Sequence, residues 1–289
     1  MSKKGFRVFQ ILSLIMCVLV CLGVGVVIWG RVYEQSLSDE FELRQEFNRT
    51  VTNGDYERAK QMLEKTPKLA NMPVARNSLE YAESVNDDTP LIAAGANMKM
   101  VRLLVDYGAD INKATPISHR YPITSVLASG ADERYDVAWF YIGKGADVTC
   151  DDYVNGSFLV AALKSEGEIN INLQNSAVDI VKYGLENGVS TDIPQKLNVG
   201  VNSLMGLAAQ NNYYKVIQFF YLEKKFDINE RVTDDQKTPL MVAVKNGHYG
   251  ATNYLVFYGA KEGYKDNYGR TAYDYAKLSR DQRIIELLS

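Results

Sequence analysis

A short motif that occurs twice constrains this chain more than any other feature. Residues 237–243 read Lys-Thr-Pro-Leu-Met-Val-Ala, and residues 269–276 read Gly-Arg-Thr-Ala-Tyr-Asp-Tyr-Ala, with the two threonines 33 positions apart. Thr238 can cap the helix that it precedes, and Pro239 fits the first helical turn, where its missing N–H would have no intrahelical partner. Gly259 closes the apolar run between the two copies, and glycine accepts the left-handed turn that ends many helices. The motif therefore predicts short helices that recur at a period of 33 residues.

These features resemble the ankyrin repeat. The points of likeness are the Thr-Pro-Leu-x-x-Ala start, an Asn-Gly-His hinge at residues 246–248 and a Gly-Ala close at residues 259–260. One helix pair cannot bury its apolar face alone, so stability has to come from stacking several units in a row. The resemblance implies an all-α ankyrin-repeat solenoid of helix-turn-helix units with finger loops. It also implies that His248 makes hydrogen bonds between repeats.

Further copies of the unit extend over most of the chain. Residues 88–94 read Asp-Thr-Pro-Leu-Ile-Ala-Ala and restart the motif, and residues 38–65 predict a degenerate first pair of helices. The final helix in residues 271–289 has a polar side, as a terminal cap requires. We predict about six to seven units over residues 38–289. The expected ends of the second helices are Gly108, Gly145, Gly188, Lys224 and Gly259.

The largest excess over the family period is an insertion at residues 165–176, where residues 165–170 interrupt the two helices of one unit. Long insertions in repeat arrays often belong to a recognition face, and a tolerated surface loop is the alternative.

An apolar run precedes the repeats. Residues 8–30 contain no charge and, as a helix, would be about 34 Å long, enough to cross a bilayer core. A cleaved signal peptide is the alternative, but the run is longer than such peptides use and no Ala-x-Ala site follows it. Lys3, Lys4 and Arg7 precede the run, whereas acidic residues follow it. The positive-inside rule then predicts residues 1–7 as a cytoplasmic tail, 8–30 as a transmembrane helix, 31–37 as a linker and 38–289 as the exported domain.

Composition and motifs argue against several functions. The formal net charge of -3 lacks the excess of positive charge that is typical of proteins that bind nucleic acid. Cys150 is the only cysteine outside the apolar run and only two histidines occur, so a disulfide framework and a zinc site are not expected. The chain has no Gly-x-Ser-x-Gly elbow and no glycine-rich phosphate loop. We therefore expect no enzyme, no cofactor and no metal.

Protein recognition is the function that the resemblance implies, since ankyrin proteins grip partners with finger loops and first helices. Tyrosine and arginine are favoured interface anchors, and carboxylates would steer toward a basic partner. The alternative is that these residues only shape turns, as Asp151 and Asp266 do in the family pattern. The candidate contact residues are Arg120, Tyr121, Asp151, Asp152, Tyr153, Arg231, Asp234, Asp235, Tyr264 and Tyr268.

The expected protein is a single-pass protein of the inner (plasma) membrane with a periplasmic or otherwise extracytoplasmic ankyrin domain. Exported bacterial ankyrin proteins with one amino-terminal span resemble immunity proteins that neutralise phospholipase toxins, so a phospholipase is the narrower partner expected. A periplasmic scaffold that supports a host enzyme such as a catalase is the alternative. In a eukaryote the domain would be lumenal, and glycans on Asn48 or Asn155 would indicate this.

Overall fold

The computed structural model describes residues 39–73, 87–165 and 170–289. Regular structure in these ranges is helical, and their only bridge between extended residues joins Asp152 to Gly156. The predicted tail at residues 1–7, the predicted membrane helix at residues 8–30 and the predicted linker at residues 31–37 all lie outside these ranges. None of the helices in the described ranges is long and apolar enough to cross a bilayer.

Seven pairs of antiparallel helices follow one another in the described residues. In chain order they are α1 (39–52) with α2 (Tyr56–Lys65), α3 (Pro90–Ala94) with α4 (Met98–Asp106), α5 (Pro122–Leu127) with α6 (Arg134–Gly143), α7 (Phe158–Leu163) with α8 (Ile171–Glu186), α9 (Leu204–Gln210) with α10 (Tyr214–Leu222), α11 (Pro239–Lys245) with α12 (Tyr249–Phe257), and α13 (Ala272–Ser279) with α14 (Gln282–Leu287). Short 3-10 turns occupy Pro67–Asn71 and Gln195–Leu197.

The pair α11 and α12 shows why the repeated motif folds in this way. The Thr238 hydroxyl accepts the backbone N–H of Met241 at 3.4 Å, which satisfies one of the free donors at the start of α11. Gly247 then takes a φ of 73° and Gly259 a φ of 85°, so a glycine lies in the left-handed region after each helix. Both helix ends were predicted from the sequence, and the structure confirms them.

The helices form two layers. First helices of successive pairs contact one another from α3 to α13, and second helices do so from α2 to α14. In the second to the sixth pair, a recurring backbone bond closes the unit onto a buried residue of its second helix, which we call the closing residue. The closing residues are Leu104, Tyr141, Gly184, Phe220 and Leu255, whose carbonyls accept the N–H groups of Ala109, Ala146, Val189, Phe226 and Ala260 at 2.9–3.0 Å. The interior therefore runs continuously between the layers, as stacking requires.

Gly184 shows how closely the layers approach at one closing position. A Cβ atom there would lie 2.7 Å from Leu159 and 2.9 Å from Phe158, both in α7. Only glycine fits between α8 and α7 at this point.

A buried arginine joins three units on the side away from the finger loops. Arg134 Nη1 donates to the Ala131 carbonyl at 2.7 Å, and Nη2 donates to the hydroxyls of Ser165 at 3.1 Å and Tyr213 at 3.4 Å. Tyr135 donates from the same cluster to the Ala162 carbonyl at 2.9 Å. The start of α6, the end of α7 and the start of α10 are thus held together.

The unit of α7 and α8 agrees with the sequence prediction that residues 165–170 interrupt its two helices. α8 begins at Ile171, and the Asn170 side chain caps it by accepting the N–H groups of Asn172 and Leu173. One detail differs from the prediction. In the fifth pair, the left-handed residue is Lys225, with a φ of 60°, and not Lys224. One extra residue between Phe220 and Phe226 displaces the turn relative to the other units.

Candidate protein-binding surface

The predicted contact residues all lie in the loops that join one helix pair to the next. We number these loops finger 1 (107–121), finger 2 (144–157), finger 3 (187–203), finger 4 (223–238) and finger 5 (258–271). Three fingers close with a backbone bond across a tight turn, which joins Thr115 N to Arg120 O at 2.9 Å, Val232 N to Lys237 O at 2.8 Å and Asp266 N to Arg270 O at 3.0 Å. Their tips are therefore fixed turns and not open loops.

Asparagine side chains fix the bases of the fingers to the neighbouring unit. The Asn71 amide donates to the Gly108 carbonyl at 2.6 Å and accepts the Asp110 N–H at 2.7 Å. Asn112 repeats both contacts one unit further on, with Gly145 at 3.0 Å and Asp147 at 2.8 Å. In the same way, Asn229 accepts the Lys261 N–H at 2.7 Å.

Asp152 ties finger 2 to the end of finger 1. Its buried carboxylate accepts the backbone N–H groups of Tyr121 at 3.0 Å, Val154 at 2.8 Å and Asn155 at 2.7 Å, and it also accepts the Thr124 hydroxyl. Asp152 therefore shapes the turn, a role that the sequence reasoning considered for Asp151. Asp151 is exposed instead.

Arg120 is also engaged within the chain. Its guanidinium pairs with Asp88 and lies 3.4 Å from Asp87 Oδ1, and its Nε donates to the Ser118 hydroxyl at 3.0 Å. Burial alone would raise the pKa of Asp87, but hydrogen bonds from Ser118 and Ile117 outweigh burial and hold this pKa below its ordinary value. Finger 1 is thus held by a charged network at its base. Tyr121 is half-buried against the core.

Fingers 4 and 5 are joined by Arg231. Its Nη1 donates to the carbonyls of Gln236 at 2.6 Å and Lys265 at 3.0 Å, and its guanidinium carbon lies 4.9 Å from the ring centroid of the half-buried Tyr264. Asp235 accepts the Thr233 hydroxyl at 2.6 Å and pairs with Lys237. These hydrogen bonds outweigh burial and lower the pKa of Asp235.

The remaining candidates are open to solvent. Tyr153 is 54% exposed and Tyr268 is 67% exposed, and Asp151 and Asp234 are also exposed. The ring of Tyr268 carries Arg270 over its face, at 5.2 Å from the centroid. Of the ten predicted contact residues, the structure therefore leaves these four most accessible to a partner.

Tyr153 lies at the centre of a group contributed by three successive fingers. Its ring centroid is 4.8 Å from that of His119 in finger 1 and 4.4 Å from the ammonium of Lys196 in finger 3. Ile117 and Val154, which are 57% and 46% exposed, lie on the same two turns as His119 and Tyr153. We call Ile117, His119, Tyr153, Val154 and Lys196 the tip cluster. His119 has a φ of 48°, a left-handed conformation that is uncommon for a side chain other than glycine.

Sequence reasoning missed Ile117, Val154 and Lys196. Ile117 and Val154 carry a detectable signal, because an isolated aliphatic residue in a polar turn has no evident place in a core. Lys196 carries no such signal, since only the stacking of units brings it over the Tyr153 ring.

A groove lies between fingers 3 and 4. Its volume is about 370 Å³, and Pro194, Asn198 and Val201 line one side while Thr233 and Asp234 line the other. A second groove of about 320 Å³ shares Val201, Thr233 and Asp234 and continues onto the first helices α9 and α11. The exposed Asp234 carboxylate is thus placed in a cleft that leads from the finger tips to the first-helix layer.

The other titratable candidates have structural settings. His248 Nε2 lies 2.7 Å from the Gln210 carbonyl of the preceding unit, which confirms the bond between repeats that the resemblance implied. Cys150 is buried, and burial raises the pKa of its thiol to about 12, so the thiol is protonated at neutral pH. Within the described ranges, no three His, Cys, Asp or Glu side chains are placed to hold a metal ion together.

Stacked helix pairs with hydrogen-bonded finger turns define a helical-repeat solenoid of the protein-interaction class. Family models agree: the model for ankyrin repeats in three copies matches residues 169–266 and 205–289, and the model for the single ankyrin repeat matches residues 86–116. The chain belongs to the ankyrin repeat family. Ankyrin repeats typically form non-enzymatic scaffolds for protein–protein interaction.

A solved structure shows the same fold. The ankyrin repeat domain of human ASB11 superposes with a TM-score of 0.54 at 17% identity, covering 84% of this chain and 95% of that one. A complex of the predatory endopeptidase Bd0816 from Bdellovibrio bacteriovorus with the immunity protein Bd3460 gives a TM-score of 0.47 at 20% identity, covering 68% of this chain and 95% of that one. No curated protein sequence matches the chain.

Proposed function

We propose that this chain binds a partner protein through the tip cluster and the groove between fingers 3 and 4. The observation that carries the proposal is the tip cluster itself, where three fingers present the Tyr153 ring, two aliphatic side chains, an imidazole and an ammonium group on one surface. Large apolar side chains exposed together on a soluble face indicate an interaction site. Aromatic residues are also the anchors that most often dominate binding energy.

Rigidity supports this assignment. The asparagine contacts, Asp152 and Arg231 fix the fingers before any partner arrives. Binding to preorganised loops avoids much of the entropy cost of ordering them in the complex. The residues engaged within the chain therefore support the site. The proposed direct contacts are the tip cluster and Asp234 in the groove, together with the exposed Asp151 on finger 2 and Tyr268 on finger 5.

The proposed partner carries charges of both signs. The Lys196 ammonium lies over the Tyr153 ring, so an acidic group on the partner would be attracted there, whereas Asp234 in the groove would attract a basic side chain. A protein surface supplies such a mixed pattern more readily than a small metabolite does.

We also propose that the domain is exported and tethered. The charge-free run at residues 8–30 and the basic residues before it support a single-pass anchor in the inner (plasma) membrane, with a cytoplasmic N-terminus and an extracytoplasmic repeat domain. Within this class, we propose an immunity protein that neutralises a phospholipase toxin. The anchor would hold an immunity protein beside the membrane that a phospholipase attacks. The immunity role, which is narrower than membrane anchoring, rests on analogy with exported ankyrin proteins.

Photo-crosslinking in native cells tests the proposal. The full chain carries p-benzoylphenylalanine in place of Tyr153 or, as a control, in place of Tyr249, which is 38% exposed on the second helix α12. We expect one protein to be captured at position 153 and not at position 249. Capture of a phospholipase would support the immunity role, and capture of a host enzyme such as a catalase would replace it with the scaffold role. Equal capture at both positions, or none at position 153, would contradict binding through the tip cluster.

A further inference from the structure

An exposed apolar surface lies on the second-helix layer, away from the fingers. Phe257, the last residue of α12, is 78% exposed, and Leu222, the last residue of α10, is 42% exposed. Half-buried tyrosines at positions 221, 254 and 258 surround them. We call Tyr221, Leu222, Tyr254, Phe257 and Tyr258 the outer patch. The proposed site at the finger tips uses none of these residues.

A comparison of the same position in five units shows that the outer patch is specific to two of them. Leu222 and Phe257 each stand two residues after the closing residue of their unit, Phe220 or Leu255. The corresponding residues in the three preceding units are Asp106, Gly143 and Glu186. Solvent-facing positions that are charged or small elsewhere have thus become large and apolar in two adjacent units. Packing within the solenoid cannot be the reason, since both side chains remain exposed.

Helix geometry directs these side chains outward. Two residues along an α-helix correspond to a rotation of about 200°, so Leu222 and Phe257 face away from the buried closing residues. The patch is continuous between the two helices, because the ring centroids of Tyr221 and Tyr258 are 5.4 Å apart and that of Phe257 is 5.0 Å from Tyr258. Gln218 Nε2 donates to the Tyr258 hydroxyl at 2.8 Å and orients this ring.

The rim of the patch has an amphipathic character. Lys224, Lys225 and Lys261 are exposed just after the ends of α10 and α12, together with Glu223 and Glu262. Tyrosine rings combine an apolar body with a polar tip, and lysine extends an apolar stem with a charged end. Aromatic rings bordered by lysines are enriched at the boundary between water and lipid.

We propose that the outer patch lies against the lipid surface beside which the chain is anchored. This inference rests on the anchor in the proposed function. A linker at residues 31–37 spans at most about 25 Å, so the repeat domain would stay close to the bilayer, where even weak contacts become populated. Phe257 and Leu222 enter the headgroup region, and the lysine ammonium groups reach the phosphates. The first-helix layer then faces away from the bilayer.

Tryptophan quenching tests this placement with the full chain in vesicles of phosphatidylcholine and phosphatidylglycerol, some of it brominated on the acyl chain near the glycerol. Phe257→Trp places a fluorophore in the patch, and Glu186→Trp places one at the matching position of an earlier unit. Both native tryptophans, Trp29 and Trp139, are replaced by phenylalanine in these two variants, and a Trp139→Phe chain that keeps Trp29 reports the anchor separately. Circular dichroism confirms that each variant keeps its helices.

We expect brominated lipid to quench the added emission of Phe257→Trp by at least twofold more than that of Glu186→Trp. Quenching of Trp29 without quenching at position 257 would overturn the membrane contact and leave the anchor intact. Absence of Trp29 quenching would contradict the proposal that residues 8–30 anchor the chain in the bilayer. If position 257 is blue-shifted but unquenched and the chain sediments as a dimer in detergent, a second copy covers the patch and the proposal fails.

Discussion

At the scale of single residues, buried carboxylates fix the conformation of the finger tips. Asp152 accepts hydrogen bonds from backbone and side-chain donors of finger 1, finger 2 and α5, and Asp266 accepts the Tyr275 hydroxyl at 2.5 Å and the N–H of Arg270 at 2.9 Å. A carboxylate has acceptor sites on both oxygens, so one side chain can satisfy several converging donors. The exposed residues of the tip cluster depend on this buried support.

Asp152→Asn should therefore destabilise the domain. The amide keeps the shape of the carboxylate but turns an NH2 group toward donors, which should cost about 1–3 kcal/mol of unfolding free energy. The matched control is Asp151→Asn, an exposed change expected to stay within about 0.5 kcal/mol of the wild type. Urea denaturation followed by circular dichroism measures both. Equal midpoints for the two variants would show that the Asp152 hydrogen bonds contribute nothing net.

Sequence reasoning named Asp151 as the turn residue, but counting back from the helix caps would have identified Asp152. Asp152 stands five residues before Ser157, the cap of α7, just as Asp266 stands five residues before Thr271, the cap of α13. Tyr153 was identifiable because tyrosine in a finger tip is a plausible anchor. Its contact with Lys196 was not, since the two residues lie on different fingers and their distance depends on how the units stack.

At the scale of helices, local capping chemistry made most of the architecture predictable. Thr-Pro starts and glycine ends lie within a few residues of the boundaries they set, so the limits of α11 and α12 follow from the sequence. The start of α8 at Ile171 agrees with the interruption at residues 165–170 that the sequence predicts, and the Asn170 side chain caps this helix.

The hydrogen bond between His248 and Gln210 predicts a pH effect at the joint between two helix pairs. Burial lowers the pKa of His248 more than the Gln210 carbonyl raises it, so the folded pKa lies below the ordinary value of about 6.5. The unfolded chain then binds the proton more readily. This contribution to stability is fully present above pH of about 6.5 and is lost as the pH falls toward the folded pKa.

His248→Gln should remove this part of the acid sensitivity. Urea midpoints of wild type and variant measured in steps from pH 7.5 down to pH 5, at roughly half-unit intervals spanning the histidine pKa, give the comparison. We expect the wild type to lose stability more steeply than the variant in this window. Parallel curves would show that His248 has the same pKa in the folded and unfolded states.

At the scale of the whole molecule, each unit is supported only by its neighbours. The first helix α13 covers α11, with Ala272, Tyr275 and Ala276 buried against it, and α14 covers α12. The outer residues of α13 and α14 include the exposed Arg280 and Arg283. A linear array of this kind loses stability from its ends.

Removing residues 271–289 should therefore also destabilise the units that remain. Burial of Tyr275, Ile284 and Leu288 contributes about 1.5–3 kcal/mol each, most of which the entropy of ordering the unit offsets, so we expect a net loss of about 2 kcal/mol. The exposed α11 should also promote aggregation. Thermal unfolding with light scattering measures both effects. Leu278→Ser, at a residue 67% exposed in the same unit, is the control and should change neither.

The distribution of the tip cluster over fingers 1, 2 and 3 makes the surface sensitive to superhelical twist. His119, Tyr153 and Lys196 keep their spacing only while three consecutive units hold one mutual rotation. A ligand that spans all three would favour that rotation over others and stiffen this stretch of the array. Duplication or loss of a single unit between α5 and α9 would abolish the surface even if every remaining repeat folded correctly.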